Sequence, residues 1–154
     1  MKNLVSERTV LDPVDRRLIT ELDRDARRPT SELARLVGMS APAVTERLRR
    51  LEAAGVLKGF TAEVDPLALG YAIRAMVWIR PHPGKLHVVE QLIQQCPEVV
   101  ECLKITGDNP FLAQIVVRSV QQMDEVLERL CDHAVTSTAI IKSEAVKRRL
   151  PPLD

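Results

Sequence analysis

Residues 30–50 read TSELARLVGMSAPAVTERLRR, and this stretch decides the fold. Its pattern is two short helical segments about a tight turn. Ala34 is a small residue four positions before Gly38, and Val44 lies six beyond that glycine. The small side chain lets a second helix approach closely, and glycine adopts the positive φ that a sharp turn demands. Val44 points back into the helix pair. Ser40 is a natural N-cap, because its hydroxyl accepts from amides that have no partner in the first helical turn. Small residue, glycine and buried aliphatic at these offsets form the pattern of a helix-turn-helix that reads DNA. An ordinary helical hairpin with a glycine turn shares the spacing, so the flanking segments must decide.

Upstream, Asp12-Pro13-Val14-Asp15 is a helix start: Asp caps, Pro fits the first turn, and the second Asp faces the positive end of the helix dipole. Leu18, Ile19 and Leu22 repeat at helical spacing to about Asp25, and Arg27, Arg28 and Pro29 break the pattern. Residues 1–11 show no period and read as an arm. A second helix from about Thr30 to Val37, with Thr30 as its cap, buries Leu33, Ala34 and Val37. A third, from about Ala41 to Ala54, buries Val44, Leu48 and Leu51. With Val44 inward, Pro42, Thr45, Glu46 and Arg49 turn outward and Arg47 and Arg50 sit on the flanks. Such positions often form nothing more than a solvated charged face. Here, however, the face opens with Ala41, Pro42 and Ala43, which are small enough to admit a close surface, and arginines follow where groove edges and phosphates would lie.

Gly55 ends the third helix. Residues 56–64, VLKGFTAEV, predict one or two short strands, a small wing. Asp65-Pro66 and Gly70 then form a turn, with the domain boundary between about 60 and 72. This predicts a DNA-binding domain over 1–64, with arm and linking strand, and a second domain over 65–154.

Beyond the boundary the period changes to two. From Ala72 to Arg80, Ile73, Ala75, Val77 and Ile79 alternate with Arg74, Met76, Trp78 and Arg80, a strand with two unlike faces. Leu86, Val89, Leu92 and Ile93 predict a helix ending near Cys96-Pro97. Strands follow over Val99–Thr106 and Phe111–Arg118, joined by a turn at Gly107-Asp108-Asn109-Pro110. Ser119 and Gln122 predict a capping box for a helix with the stripe Met123, Val126, Leu127 and Leu130. A last strand is predicted from about Val135 to Val146, before the basic Lys147-Arg148-Arg149. Strand, helix, strand, strand, helix, strand is the ferredoxin-like βαββαβ order. The fold class is therefore α+β: an N-terminal three-helix, winged helix-turn-helix domain and a C-terminal ferredoxin-like domain. One face of such a sheet is left bare, and its apolar residues predict packing against a second copy.

The net charge is only +1, but Arg16, Arg17, Arg24, Arg27, Arg28, Arg35, Arg47, Arg49 and Arg50 all precede residue 60. The later part is slightly acidic. The front carries the charge for a phosphate backbone, and its modest excess favours two copies per DNA. No run of about 18 apolar residues is present, which excludes a helical membrane span. The opening MKNLVSERTVLD lacks the apolar core of a secretory signal, so a cytoplasmic, nucleoid-associated protein is expected. Cys96, Cys102 and Cys131 are scattered, as are His82, His87 and His133. We expect no metal site, no cofactor and no catalytic residues.

The chain resembles the Lrp/AsnC, or feast/famine, family of transcriptional regulators over nearly its whole length. LDPVDRRLITEL is similar to the family's first helix, and ELARLVGMSAPAVTERLRRLEAAGVLKGF to its helix-turn-helix and following strand. PEVVECLKITGDNPFLAQIVV resembles its ligand-domain hairpin and IIKSEAVKRRLPPL its last strand and tail. The resemblance implies homodimers that assemble to octamers, and an amino acid or related metabolite bound near Thr106, Gly107, Asp108 and Asn109. Pro110 stands where the family commonly places an acid, three residues after the glycine, and Pro29 where many members have a small polar cap.

The leading reading is a sequence-specific regulator of double-stranded DNA that responds to a small-molecule effector. Thr45 and Arg49 would reach base edges, Pro42 and Ala43 would make apolar contacts, and Ser40, Arg47 and Arg50 would hold phosphates, with Ala41 and Glu46 on the same face. An architectural protein that wraps DNA with little sequence preference would share the fold. So would a porphyrin decarboxylase-like enzyme, but such a site wants clustered His, Tyr and Arg, and Tyr71 is the single tyrosine.

Overall fold

In a computed structural model the structure describes residues 9–154; residues 1–8, most of the predicted arm, lie outside the described part. The chain divides into two compact units, one of residues up to Ala62 together with Val146–Asp154, the other Glu63–Ala145.

In the first unit, α1 (Pro13–Arg24), α2 (Thr30–Val37) and α3 (Ala41–Ala53) enclose Leu18, Leu22, Leu33, Ala34 and Val44, with Met39, Leu48 and Leu57 packed around them. The start of α1 is a reciprocal capping box: Asp15 N donates to Asp12 Oδ1 at 2.8 Å and Asp12 N to Asp15 Oδ2 at 3.3 Å. α2 and α3 end alike. Gly38 and Gly55 both adopt φ +69°, so that Met39 N bonds back to the Ala34 carbonyl and Val56 N to that of Leu51, both at 2.9 Å. This is the Schellman closure, which satisfies carbonyls the helix leaves orphaned and folds the next apolar residue onto the core.

Two expectations for this unit are corrected. Thr30 is not the cap of α2: the Pro29 carbonyl already accepts from Glu32 N and Leu33 N, at 2.9 and 3.0 Å, so Thr30 is the first helical residue. No wing or linking strand forms in residues 56–64 either. Val56 and Leu57 bond back to Leu51, and among the described residues no strand pairs with the exposed stretch that follows, so nothing supplies a ladder.

The second unit begins with a 3-10 turn at Leu67–Leu69 and continues as β1 (Ile73–Pro81), α4 (Leu86–Gln95), β2 (Val99–Lys104), β3 (Phe111–Val117), α5 (Val120–Cys131) and β4 (Ala134–Ile140). The sheet is antiparallel in the order β2-β3-β1-β4, the ferredoxin-like topology. Ala75, Val77 and Ile79 pair with Ile115, Ala113 and Phe111, and this face packs on Val89 and Ile93 of α4 and Val126 and Leu130 of α5. Met76, Trp78, Leu103 and Leu112 belong to the opposite face; Trp78 pairs with Leu112, and Leu112 with Leu103.

The last strand stops six residues short of its predicted end. Ile140 pairs with Ala75 and Ile141 N donates to Arg74 O at 2.8 Å; β1 begins at Ile73, so little backbone remains to pair with. The capping box of α5 is also displaced. Ser119 Oγ accepts from Gln122 N at 3.1 Å, but the Gln122 side chain accepts from Arg118 N, one residue before the cap, at 2.8 Å.

Candidate nucleic-acid interface and ligand turn

α3 is presented from its capped end. Ser40 Oγ accepts from Ala43 N at 3.4 Å, and Ala41 and Pro42 open the helix. Val44 and Leu51 are buried, whereas Pro42, Thr45, Glu46 and Arg49 are exposed and Ala41 and Ala43 half-buried. The outward face therefore holds the residues that the helical period assigns to it. Thr45 Oγ1 donates to the Ala41 carbonyl at 3.0 Å. Arg49 lies 4.0 Å from Glu46 with both side chains largely in solvent, a pairing weak enough to exchange for another anion.

The flanking arginines differ from Arg49. Arg47 Nη1 donates to Asp12 Oδ2 at 2.5 Å and to Asp15 Oδ1 at 2.8 Å, and Arg50 Nη2 donates to Asp15 Oδ2 at 2.7 Å. Asp15 is almost wholly buried, so its charge is offset by two guanidinium groups and a capping amide. The Asp15 backbone amide holds the Asp12 carboxyl below its ordinary range, and Arg47 adds to the effect. The same bonds push the Arg47 guanidinium up. A parallel knot ties Arg24 and Arg28 to Glu21, which is 7% exposed. Helix-start chemistry marked Asp12 as the cap and Asp15 as a partner of the helix dipole; their second role as anchors for α3 had no local signal, because their partners lie 32 to 35 residues away.

The second candidate site is the link between β2 and β3. Ile105 N donates to Pro110 O at 2.9 Å, closing a loop that carries Thr106, Gly107, Asp108 and Asn109. Thr106, Gly107 and Asp108 are exposed, Asn109 is half-buried, and Gly107 has φ +104°. The four residues are thus brought together, with open backbone at the glycine and a carboxylate beside it. Elsewhere in this unit a cavity of about 200 Å³ lies among Val77, Leu92, Cys96, Ile115 and Leu127, and shares no residue with the turn. At its edge Cys96 Sγ donates to Glu98 Oε2 at 3.2 Å, and Arg129 and Gln122 reach the same carboxylate at 3.4 Å. Burial pushes the Glu98 carboxyl up, but the Cys96 bond and its other partners outweigh this and leave it lowered. No group of His, Cys, Asp and Glu able to hold a metal occurs among the described residues.

A capped helix with small and basic residues outward, joined in one chain to a ferredoxin-like sheet, defines a two-domain DNA-binding regulator. The sequence comparisons agree. Residues 11–52 match the AsnC-type helix-turn-helix domain and residues 74–151 the Lrp/AsnC ligand binding domain. The chain belongs to the Lrp/AsnC family of transcriptional regulators. It is 34% identical over 121 residues to the HTH-type transcriptional regulator FL11 of Pyrococcus furiosus, covering 79% of this chain and 80% of that one. It is 32% identical over 134 residues to LrpC of Bacillus subtilis, covering 87% and 93%. The solved structure of B. subtilis LrpC superposes with a TM-score of 0.84 at 31% identity, over 90% of this chain and 99% of that one. The feast or famine regulatory protein Rv3291c of M. tuberculosis, solved in complex with L-methionine, superposes with a TM-score of 0.82 at 31% identity, over 91% and 97%. The family places the protein among DNA-binding transcriptional regulators. No helix among the described residues is long and apolar enough to cross a membrane.

Proposed function

We propose that α3 is the recognition helix, with Thr45 and Arg49 on base edges, Pro42 and Ala43 in apolar contact, Ala41 and Glu46 at the same surface, and Ser40, Arg47 and Arg50 at the phosphates. The observation that carries this reading is the separation on one helix between a buried Val44–Leu51 stripe and an exposed Pro42–Thr45–Arg49 face. Arg47 and Arg50 serve with their charge already shared with Asp15, so they position α3 as well as meet the backbone. Gel shifts on DNA from the chain's own promoter region test the assignment: Arg49→Ala weakens operator binding by about 1–3 kcal/mol. Unchanged binding refutes it.

The effector is an amino acid or related metabolite bound at Thr106, Gly107, Asp108 and Asn109. The methionine complex of the related Rv3291c and the accessible turn support this. Asp108 offers an anion to an ammonium group, and Gly107 exposes backbone. With Pro110 in place of an acid, Asp108 is the only carboxylate of the turn. A thermal-shift screen of amino acids and keto acids, followed by DNA binding with each hit, tests it; a stabilising ligand that leaves DNA affinity unchanged rejects sensing.

By sequence the DNA-binding domain is 1–64 and the effector and pairing domain 65–154, whose closing residues Val146–Asp154 fold with the first unit. Two copies pair through the bare sheet face, with dimers assembling to octamers. The protein acts in the cytoplasm, at the nucleoid. Pairing brings two helical units to one duplex, which compensates for the modest charge of each.

A further inference from the structure

The closing segment Val146–Asp154 belongs to the same compact unit as α1, α2 and α3, although it follows the sheet in sequence. Pro152, Leu153 and Asp154 line a hollow with Thr9, Val10, Leu11 and Arg16 at the start of α1. Leu150 and Leu153 are half-buried, whereas Lys147, Arg148 and Arg149 are exposed. Aliphatic anchors thus hold the segment down and leave its cations in solvent.

The landing point is what gives these cations meaning. The start of α1 also carries Asp12 and Asp15, the carboxylates that hold Arg47 and Arg50 on the flank of α3. The end of the segment, Pro152–Asp154, thus lies at the end of α1 that is tied to α3, with Pro152 five residues or fewer beyond the three cations.

The charge balance points the same way. Residues 9–62 hold ten Lys and Arg against eight Asp and Glu, a net charge of +2. Within that set Arg24, Arg28, Arg47 and Arg50 are engaged by Glu21, Asp12 and Asp15. The closing segment adds Lys147, Arg148 and Arg149 against Asp154 alone, which brings the total to +4. None of the ion pairs among the described residues involves its three cations. The net charge of the described part of the unit doubles, with groups that no described carboxylate pairs with.

We infer that Lys147, Arg148 and Arg149 form a second DNA contact, gripping phosphates beside the groove that α3 enters. The inference rests on the DNA reading of the α3 face. Phosphate contacts of this kind raise affinity on any sequence and steepen its salt dependence, and they add nothing to base discrimination.

The test uses the full chain and fluorescence anisotropy on the operator and on a random duplex, between about 50 and 200 mM salt. In the variant Lys147→Gln/Arg148→Gln/Arg149→Gln the slope of log affinity against log salt flattens by about 2–3 on both duplexes. The operator-to-random ratio and the thermal midpoint stay as in the unsubstituted protein. Restoring charge with Lys147→Arg/Arg148→Lys/Arg149→Lys restores the slope. An unchanged slope overturns the proposal, and so does weaker binding at unchanged slope, which would be an effect on folding. Arg49→Ala, run alongside, lowers the operator-to-random ratio. If it does not while the tail variant flattens the slope, the base contact fails and the tail contact stands. If the unsubstituted protein binds neither duplex, both fall.

Discussion

The Arg50 guanidinium donates to the buried Asp15 carboxylate at 2.7 Å, across 35 positions of sequence, while Arg47 takes the other oxygen at 2.8 Å. Through this one carboxylate the start of α1 sets where the flank of α3 lies. Asp15→Ala removes both bonds and half of the α1 capping box; Arg50 is then able to turn to solvent, while Arg47 keeps Asp12. We expect a loss of about 1–3 kcal/mol, since hydrogen bonds to charged groups carry that much. Thermal unfolding reads it, and an unchanged midpoint would show that the knot contributes nothing net.

Acid should weaken both units. The Asp12 and Glu98 carboxyls are lowered in the folded chain, Asp12 chiefly by the Asp15 amide and Glu98 by the Cys96 thiol and Arg129 against its own burial. A carboxyl depressed on folding binds its proton more readily when unfolded, so its stabilising contribution is full above the ordinary values of about 4. It is lost as pH falls through the folded values, below that range. Denaturant titrations between about pH 6 and 3 should show stability falling only at the acid end. In Glu98→Gln the fall should be shallower, and an identical profile would remove Glu98 from the account.

Gly38 has φ +69°, and a Cβ placed there meets nothing within 4 Å. Gly38→Ala therefore pays only for a left-handed backbone, about 1–2 kcal/mol. Gly38→Asn should cost less, because its short polar side chain tolerates that region. Equal losses in denaturant melts would point to a steric cause instead.

The sheet face opposite α4 and α5 carries Leu103, 49% exposed, beside Leu112 and Trp78. If two copies meet there, Leu103→Lys buries a charge in the interface and should yield monomers by light scattering. The midpoint of the isolated fold should hardly move, because Leu103 faces away from the helices. A dimer of unaltered strength would move the interface elsewhere.

Much of this could be seen in the sequence. The helix of residues 13–24 follows from its Asp-Pro start and its apolar period, and Ile73–Arg80 follows from strict alternation. The outward set Pro42, Thr45, Glu46 and Arg49 follows from Val44 and the helical repeat. The turn of Thr106 to Asn109 is marked by its own residue types. The wing failed for a definite reason: residues 56–64 have strand-like composition, but a strand exists only where another offers a ladder, and Leu51 captures the first two amides instead.

The sequence by itself determined the helices, their ends, the strand faces and the order that defines the fold. Capping, glycine conformation and apolar periodicity act over a few residues, where the chain already holds the partners together. Only the tertiary structure decided which charges are free. The helical period sets Arg47 and Arg50 on the flanks of α3 and Arg49 outward. Only the folded chain ties the flanking two to Asp15 and leaves Arg49 with no described partner closer than Glu46 at 4.0 Å. Lys147, Arg148 and Arg149 follow the last strand in sequence yet belong with the first helices in space. Coulomb attraction and ladder pairing depend on distance through space, and that distance exists only once the chain has folded.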